Sequence, residues 1–354
     1  MREFEDLRRQ IDALDDRLIE LIIERARLAQ QIGELKNQRH AATFAPARES
    51  EVVRRLIAQA RPPLTPTALA AIYTEIISAC RAAETPLRVA HLGPAHSYSH
   101  LAALRRFGSQ AVFAPYPSIS ETFRAVSQSL ADCGMVPVEN SLRGVEAETL
   151  DALAHTDLQV CGEFYLPVHH CLLAHSPLAE IETVYSHPQA LAQCDVWLRR
   201  HLPAAARVEV ASTTAGAEQA ARQPRAAAIA AESAAAAYGL NVIAENIEDV
   251  PDNRTRFFVI GRMDCPATGR DKTSMVMATQ HEAGSLYRAL APLADNAINM
   301  TFIESRPTRV APWEYNFFVD FEGHQTETRV VRALAALRER CLFVKVLGSY
   351  PAAD

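Results

Sequence analysis

Among the residues of this 354-residue chain, the first with evident chemical potential is an arginine in apolar company. Leu7, Ile11, Leu14, Leu18, Leu21, Leu28, Ile32 and Leu35 recur at spacings of four and three, with one position skipped, which is the pattern of a heptad seam along one helix. The skipped position, between Leu21 and Leu28, is Arg25. Burying an unpaired guanidinium costs on the order of several kcal/mol, so Arg25 calls for an anion from the protein or from a ligand. Lys36 lies three turns further on, about 1,100° of helical rotation, and projects within roughly 20° of Arg25. Two cations on one inward face suit a small dianion. Arg8 points roughly 100° away from Arg25, so it cannot easily join them from the same helix but could from a second copy of the chain. A seam arginine that merely sets register or oligomeric state is the competing reading.

Further along, polar clusters adjoin short apolar runs. Gly93-Pro-Ala-His-Ser-Tyr-Ser-His100 follows one such run and is placed to open a helix. There the backbone N–H groups, with Ser97 and Ser99, could hold an anion or simply cap the helix. Glu139-Asn140-Ser141 follows Met-Val-Pro-Val, and Ser186-His-Pro-Gln189 follows Thr-Val-Tyr, with Gln193 a turn further on. Asn253-Arg-Thr-Arg-Phe257 leads into an apolar strand. His169 and His170 are adjacent rather than a turn apart, and no HExxH or paired Cys/His spacing occurs, so no structural metal is expected. No P-loop or GxGxxG is present, which argues against a nucleotide cofactor, and no GxSxG elbow marks a nucleophile. What remains for chemistry is hydroxyls, amides and arginines.

The elements that must position these groups change character twice along the chain. Residues 1–85 read as all-helical: a helix over about 4–39, a second from Pro46 to about Ala60, and a third from Pro66 to Ala83 with the stripe Leu69, Ile72, Tyr73, Ile76, Ile77 and Cys80. Three helices cannot cover so long a seam alone, so an intertwined dimer is expected. From 86 to 266, apolar runs alternate with helical segments. The strand candidates are Leu87–Leu92, Ala111–Ala114, Met135–Val138, His170–Leu173, Val208–Ala211, Ala226–Ala230 and Phe257–Ile260, an alternation that argues for an open, largely parallel α/β sheet. Such sheets bind ligands beyond their strand ends, where the polar clusters fall. After Cys265-Pro-Ala-Thr-Gly269, residues 270–354 read βαββαβ, the ferredoxin-like order. A net charge of −6 gives no footprint for nucleic acid and no basic run for a membrane surface. The N-terminal residues lack a signal-peptide apolar region. Seven scattered cysteines without a CxxC read as reduced thiols of a cytoplasmic protein.

The ordered set GPAHSYSH, VPVENS, YSHPQ, NRTRFF, ESRP, WEYNFFVDFEGH and VKVLGSYP resembles the prephenate dehydratase family. The first 84 residues resemble the helical, dimeric type of chorismate mutase. The whole chain is thus similar to the bifunctional family of phenylalanine biosynthesis that joins the two activities. The resemblance implies a two-lobed, periplasmic-binding-protein-like dehydratase domain and a C-terminal ACT module, and it implies no cofactor.

It also implies roles. Chorismate carries two carboxylates and rearranges without a covalent enzyme intermediate, so the protein must hold the folded conformer and stabilise charge on the ether oxygen. Arg8 of a partner copy, Arg25 and Arg48 would grip carboxylates, Lys36 would donate to the ether oxygen, and Glu49 would accept the substrate hydroxyl. Three positions depart from the family pattern: Ala45 stands for an aspartate, Cys80 for a serine beside the substrate, and Glu84 for a glutamine that donates to the ether oxygen. In the dehydratase, Thr255 would donate to the leaving hydroxyl. Asn140, Ser186 and Gln193 would orient the ring substituents, Arg256 would take the pyruvyl carboxylate, and Ser97 and Ser99 would assist. His96 stands where glycine is usual. In the ACT module, Gly284, Ser285 and Leu286 with Glu304, Ser305, Arg306 and Pro307 would bind phenylalanine as feedback effector at a dimer interface, although Ser285 replaces alanine and Phe302 a basic residue. Two readings stay beside this one: an arogenate dehydratase, and a non-catalytic amino-acid sensor with a degenerate cleft. Pairing of dimers into tetramers is left open.

Overall fold

The computed structural model describes residues 2–38, 44–307 and 315–353. The chain divides into two compact units, Met1–Arg88 with Leu104–Val112, and Val89–Ala103 with Phe113–Asp354. The expected end of the first helix at residue 39, and Trp313 and Glu314 of the quoted motif, lie outside the described residues.

The first unit holds α1 (Arg2–Gln38), α2 (Pro46–Ile57) and α3 (Pro66–Glu84), close to the expected spans. Pro66 occupies the first turn of α3, and the Thr65 hydroxyl accepts from the Ala68 N–H at 3.2 Å, so local chemistry fixes where this helix starts. Helix α3 packs against both α1 and α2. Phe44, Ala47, Cys80 and Phe107 are buried, with the Phe44 and Phe107 rings edge-on at 5.4 Å. The eight seam residues of α1 tell a different story, for each is 53–61 % exposed. One chain leaves its most regular apolar stripe in water.

The second unit contains two mixed sheets and a third, antiparallel one. From residue 88 on, the element order is β1 (Arg88–Leu92), α4 (Tyr98–Phe107, its last turn counted with the first unit), β2 (Val112–Tyr116), α5 (Ile119–Ser127), β3 (Cys133–Asn140), β4 (Gly144–Val145), α6 (Ala147–His155) and β5 (Gln159–Pro167). It continues with β6 (Cys171–Ala174), β7 (Thr183–Ser186), α7 (Pro188–Gln193), α8 (Asp195–His201), β8 (Ala206–Glu209), α9 (Thr213–Ala221), β9 (Ala226–Ala230), α10 (Ser233–Tyr238), β10 (Asn241–Ala244) and β11 (Arg254–Gly261). The first sheet runs β2-β1-β3-β11-β5, with β4 beside β3, and the second runs β10-β6-β9-β7-β8. The seven expected strands are found within a few residues. The expectation of one largely parallel sheet is corrected: β11 runs antiparallel to both β3 and β5, and β6 antiparallel to β9 and β10. The chain leaves the first sheet after β5 and returns to it as β11, so residues 168–170 and 245–253 form a paired crossover. Their backbones are tied by Val168 N–H to Asn253 O at 2.8 Å and Ile247 N–H to His170 O at 2.9 Å.

The C-terminal module follows with β12 (Asp271–Ala278), α11 (Ser285–Asp295), β13 (Met300–Pro307), β14 (Tyr315–Glu322), α12 (Thr328–Arg340) and β15 (Phe343–Pro351). This is the expected βαββαβ order, with sheet order β13-β14-β12-β15. Its helices close one core over Met275, Met277, Val319 and Phe321. Val276, Phe318, Leu347 and Tyr350 face the other way and join the core of the first sheet, because alternate residues of a strand point to opposite faces. Lys345 donates to the carbonyls of Leu153, Ala154 and Thr156 at 2.5–3.2 Å. A cation thus caps the last turn of α6, where free carbonyls and the helix dipole favour one.

Candidate active sites

In the first unit, Arg25 and Lys36 are both partly buried on α1, consistent with their shared face. Glu84, the last residue of α3, lies against Gly33 of α1. A Cβ at Gly33 would sit 2.2 Å from Glu84 Cγ, so only glycine admits the carboxyl there. Glu84 Oε1 is buried and has no hydrogen-bond partner among the described residues. Such an atom is costly unless something supplies the missing bond. Cys80 is buried one turn earlier. Glu49 is held by Arg81 at 2.5 Å and by Arg106 at 3.4 Å, and Arg81 also donates to the Phe107 carbonyl at 2.7 Å. Arg106 and Phe107 come from beyond the helical segment that suggested the site, which is why the sequence reading missed this clasp. Arg8 pairs with Glu5 at 3.1 Å and Arg48 with Glu51 at 2.8 Å, both on exposed surface. Ala45 precedes α2 and supplies no side-chain cap.

In the second unit a cleft of about 560 Å³ opens between the two mixed sheets. Pro137, Glu139 and Asn140 of β3 and Thr255 and Phe257 of β11 form one wall. His187, Gln189 and Gln193 around α7 and Ala211–Thr213 before α9 form the other. Ser97 and Ser99 line it at the start of α4. Thr255 and Asn140 are cross-strand partners next to a register irregularity between Arg256 and Phe257, the kind of bulge that re-aims a side chain. Asn140 Nδ2 donates to Thr255 Oγ1 at 2.9 Å and to Asn253 Oδ1 at 2.8 Å. The Leu142 N–H donates to Asn140 Oδ1 at 3.1 Å, which fixes the amide the right way round. With its oxygen already accepting, the Thr255 hydroxyl keeps its proton to offer into the cleft.

Two expected residues are elsewhere. Ser186 is fully buried, and its hydroxyl donates to the Ile229 carbonyl at 2.6 Å, so it braces the second sheet beneath the cleft rather than facing it. Arg256 follows Thr255 on a strand and therefore points to the opposite face. It is 4 % exposed and meets Glu163 at 2.7 Å, Asp320 at 2.6 Å and the Tyr350 hydroxyl at 3.2 Å. It joins the first sheet to the C-terminal module and is not among the residues that line the cleft. Arg143 is the cleft-lining guanidinium among the described residues. Ser212 and Thr213 were legible in principle, as a hydroxyl pair between a strand and a helix. His96 keeps the left-handed backbone of a glycine (φ 64°). Its N–H donates to His100 Nδ1 at 2.8 Å and its ring packs on His100 and Tyr238, outside the cleft lining.

Comparison with known proteins decides the family. The chorismate mutase type II profile matches residues 7–85 and the prephenate dehydratase profile residues 89–265. A bifunctional chorismate mutase/prephenate dehydratase of Aquifex aeolicus is 44 % identical over 358 residues, covering 100 % of this chain and 99 % of that one. The chain belongs to the bifunctional chorismate mutase/prephenate dehydratase family. The corresponding protein of Pseudomonas aeruginosa is 41 % identical, covering 98 % of this chain and 97 % of its own. A prephenate dehydratase of Arthrobacter aurescens, solved in complex with L-Phe, superposes with a TM-score of 0.70 at 36 % identity over 75 % of this chain and 90 % of that one. The chain is therefore a mutase and a dehydratase in one polypeptide, and the cleft lies within the dehydratase match.

Beyond the dehydratase match, a cavity of about 300 Å³ in the C-terminal module is lined by Thr279, Gln280, His281, Glu282, Ala283, Ser285, Tyr315 and Phe317. Gly284 adopts a left-handed φ of 79° at the start of α11. Of the expected effector residues only Ser285 lines this cavity. Glu304–Pro307 lie on the edge strand β13, where Arg306 is bonded to Asp151 of α6 at 3.0 and 3.2 Å. Ser305 and Pro307 are the cross-strand partners of Phe317 and Tyr315, which line the cavity with Ser285.

Proposed function

We propose that the two activities run at the two sites described, the observation that carries this being the Asn140-bound Thr255 hydroxyl aimed into the cleft. In the mutase, Arg25 and Lys36, with Arg48 and with Arg8 of a second copy, hold chorismate folded while its ether C–O bond breaks and the new C–C bond forms. Glu84, whose buried Oε1 has no partner among the described residues, meets the ether oxygen. Glu49 accepts the substrate hydroxyl, its carboxylate fixed by Arg81 and Arg106.

In the dehydratase, prephenate loses CO₂ and its ring hydroxyl to give phenylpyruvate. Aromatisation drives the step, so the protein's part is to hydrogen-bond the departing oxygen and orient the rest. Thr255 donates to that oxygen, with Gln193, Ser97 and Ser99 binding ring substituents and Arg143 taking the place first given to Arg256. A ketoacid dianion, not an amino acid, suits a chain whose mutase makes it.

The exposed α1 seam supports a homodimer in which a second copy covers it, and the cavity lined by Ser285, Tyr315 and Phe317 is the place for a phenylalanine effector. No helix among the described residues is long and apolar enough to cross a membrane, and seven cysteines scattered without a CxxC suit a cytoplasmic enzyme. Side-by-side turnover of prephenate and arogenate, with and without phenylalanine, tests this. Faster prephenate turnover, slowed by phenylalanine, is expected. Preference for arogenate, or unchanged activity despite measured phenylalanine binding, would overturn the respective part.

A further inference from the structure

We infer that His170 is a positioning residue for the dehydratase, fixing the Gln193 amide from the crossover between the two lobes. The inference rests on the reading of the cleft given above. His170 is 2 % exposed, lines the cleft, and immediately precedes β6. Its hydrogen-bond partners account for its burial.

Both ring nitrogens are engaged. Nε2 is 2.8 Å from Gln193 Oε1. An amide oxygen has no proton to give, so Nε2–H is the donor. Asn253 Nδ2 approaches the same oxygen at 3.5 Å. With Oε1 turned to His170, the Gln193 NH₂ group is left to donate to substrate oxygens. An amide turned over would present a lone pair to an anionic substrate. His170 therefore decides the sign of the dipole that Gln193 shows the cleft.

The other nitrogen, Nδ1, is then an acceptor 2.9 Å from the Tyr98 hydroxyl, whose single proton is shared between it and the His169 carbonyl at 2.7 Å. Tyr98 opens α4 between Ser97 and Ser99, on the lobe opposite Gln193. The His170 backbone is clamped as well: its N–H donates to Glu248 Oε2 at 2.8 Å and its carbonyl accepts from Ile247. Glu248 also holds His169 at 2.8 Å. The imidazole thus stands at the hinge, bonded to one group from each lobe, and lobe geometry and amide orientation are set together. Burial keeps the ring below the ordinary histidine range, against the Gln193 bond and Glu248. That favours the neutral, singly protonated form.

Two substitutions separate the nitrogens. In His170→Gln the side-chain amide falls where Nε2 was and can still donate to Gln193. In His170→Asn it falls where Nδ1 was and stops short. Prephenate kcat and KM are measured for both in the full chain, with mutase activity and thermal melting reporting on folding. His170→Asn is expected to lower kcat about tenfold or more, the loss of roughly one oriented hydrogen bond, with KM changing less. His170→Gln is expected to retain the greater part of kcat. In a Gln193→Ala background, His170→Asn is expected to add less than about twofold, since both act through one amide. Equal losses in the two His170 variants, or full additivity with Gln193→Ala, would overturn the inference. A Gln193→Ala chain of native dehydratase activity would instead overturn the reading of the cleft itself.

Discussion

At the scale of single residues, the dehydratase cleft separates groups that a linear motif presents as equals. Thr255 and Arg256 are neighbours in sequence, but strand alternation sends one into the cleft and the other into a buried ion cluster. The polar run Asn253–Phe257 was legible as a site; which of its members faces the ligand was not, because that depends on which face of β11 the second lobe covers. Ser186 failed for a similar reason, its hydroxyl being taken by Ile229 O across the sheet. His100 gives a pH-dependent expectation. Burial, with His91 and His96 alongside, pushes it down from the ordinary 6.5 to about 4. Between these values the unfolded chain binds the proton and the folded chain resists it, so stability is full above about pH 6.5 and falls as pH drops toward 4. The melting temperature is expected to fall across that window, and less in His100→Asn, whose Oδ1 can accept the His96 N–H without titrating. Equal falls in both chains would contradict this. Glu84 gives a second expectation, for its buried Oε1 has no partner among the described residues, and a side-chain amide can donate to an ether oxygen where an alkyl group cannot. Glu84→Gln should keep mutase activity, and Glu84→Leu should lower it about tenfold or more. Equal activity in the two variants would count against the role.

At the scale of elements, the helices of the first unit were readable almost to the residue, because periodicity, Pro66 and the Thr65 cap are all local signals. The strands were readable as strands but not as sheets. Strand–helix alternation looks the same whether the chain stays in one sheet or crosses to a second and returns, and the long-range pairing of β11 between β3 and β5 leaves no local mark. That return has a mechanical consequence. Arg256 of β11, Glu163 of β5, Lys272 of β12 and Asp320 of β14 form a buried cluster of two cations and two anions, with Lys272 2.8 Å from Glu163. The Ser274 hydroxyl lies 2.7 Å from that of Tyr350, which also contacts Arg256. Removing one charge leaves its partners buried and uncompensated, which typically costs about 3–5 kcal/mol. Arg256→Met is expected to destabilise the chain by about that amount in urea unfolding. A loss below about 1 kcal/mol, the range of exposed pairs, would show the cluster to be dispensable.

At the scale of the whole molecule, sequence and structure agree on order: a helical mutase, a two-lobed dehydratase and a βαββαβ module. They differ in what one chain can complete. The dehydratase cleft is lined from a single polypeptide, whereas the α1 seam is left exposed. Each large apolar side chain of the seam is worth roughly 1.5–3 kcal/mol when fully buried, ample reason for a second copy to cover it. The central claim, two independent sites with dehydration resting on the Thr255 hydroxyl, is tested most directly by feeding chorismate to the purified chain and to Thr255→Val. Chorismate loss and phenylpyruvate appearance are followed together. The native chain should carry chorismate through to phenylpyruvate. Thr255→Val, which keeps the shape and loses the proton, should consume chorismate at the native rate while prephenate accumulates and phenylpyruvate forms at least about 100-fold more slowly. Undiminished phenylpyruvate formation by the valine variant would contradict the account.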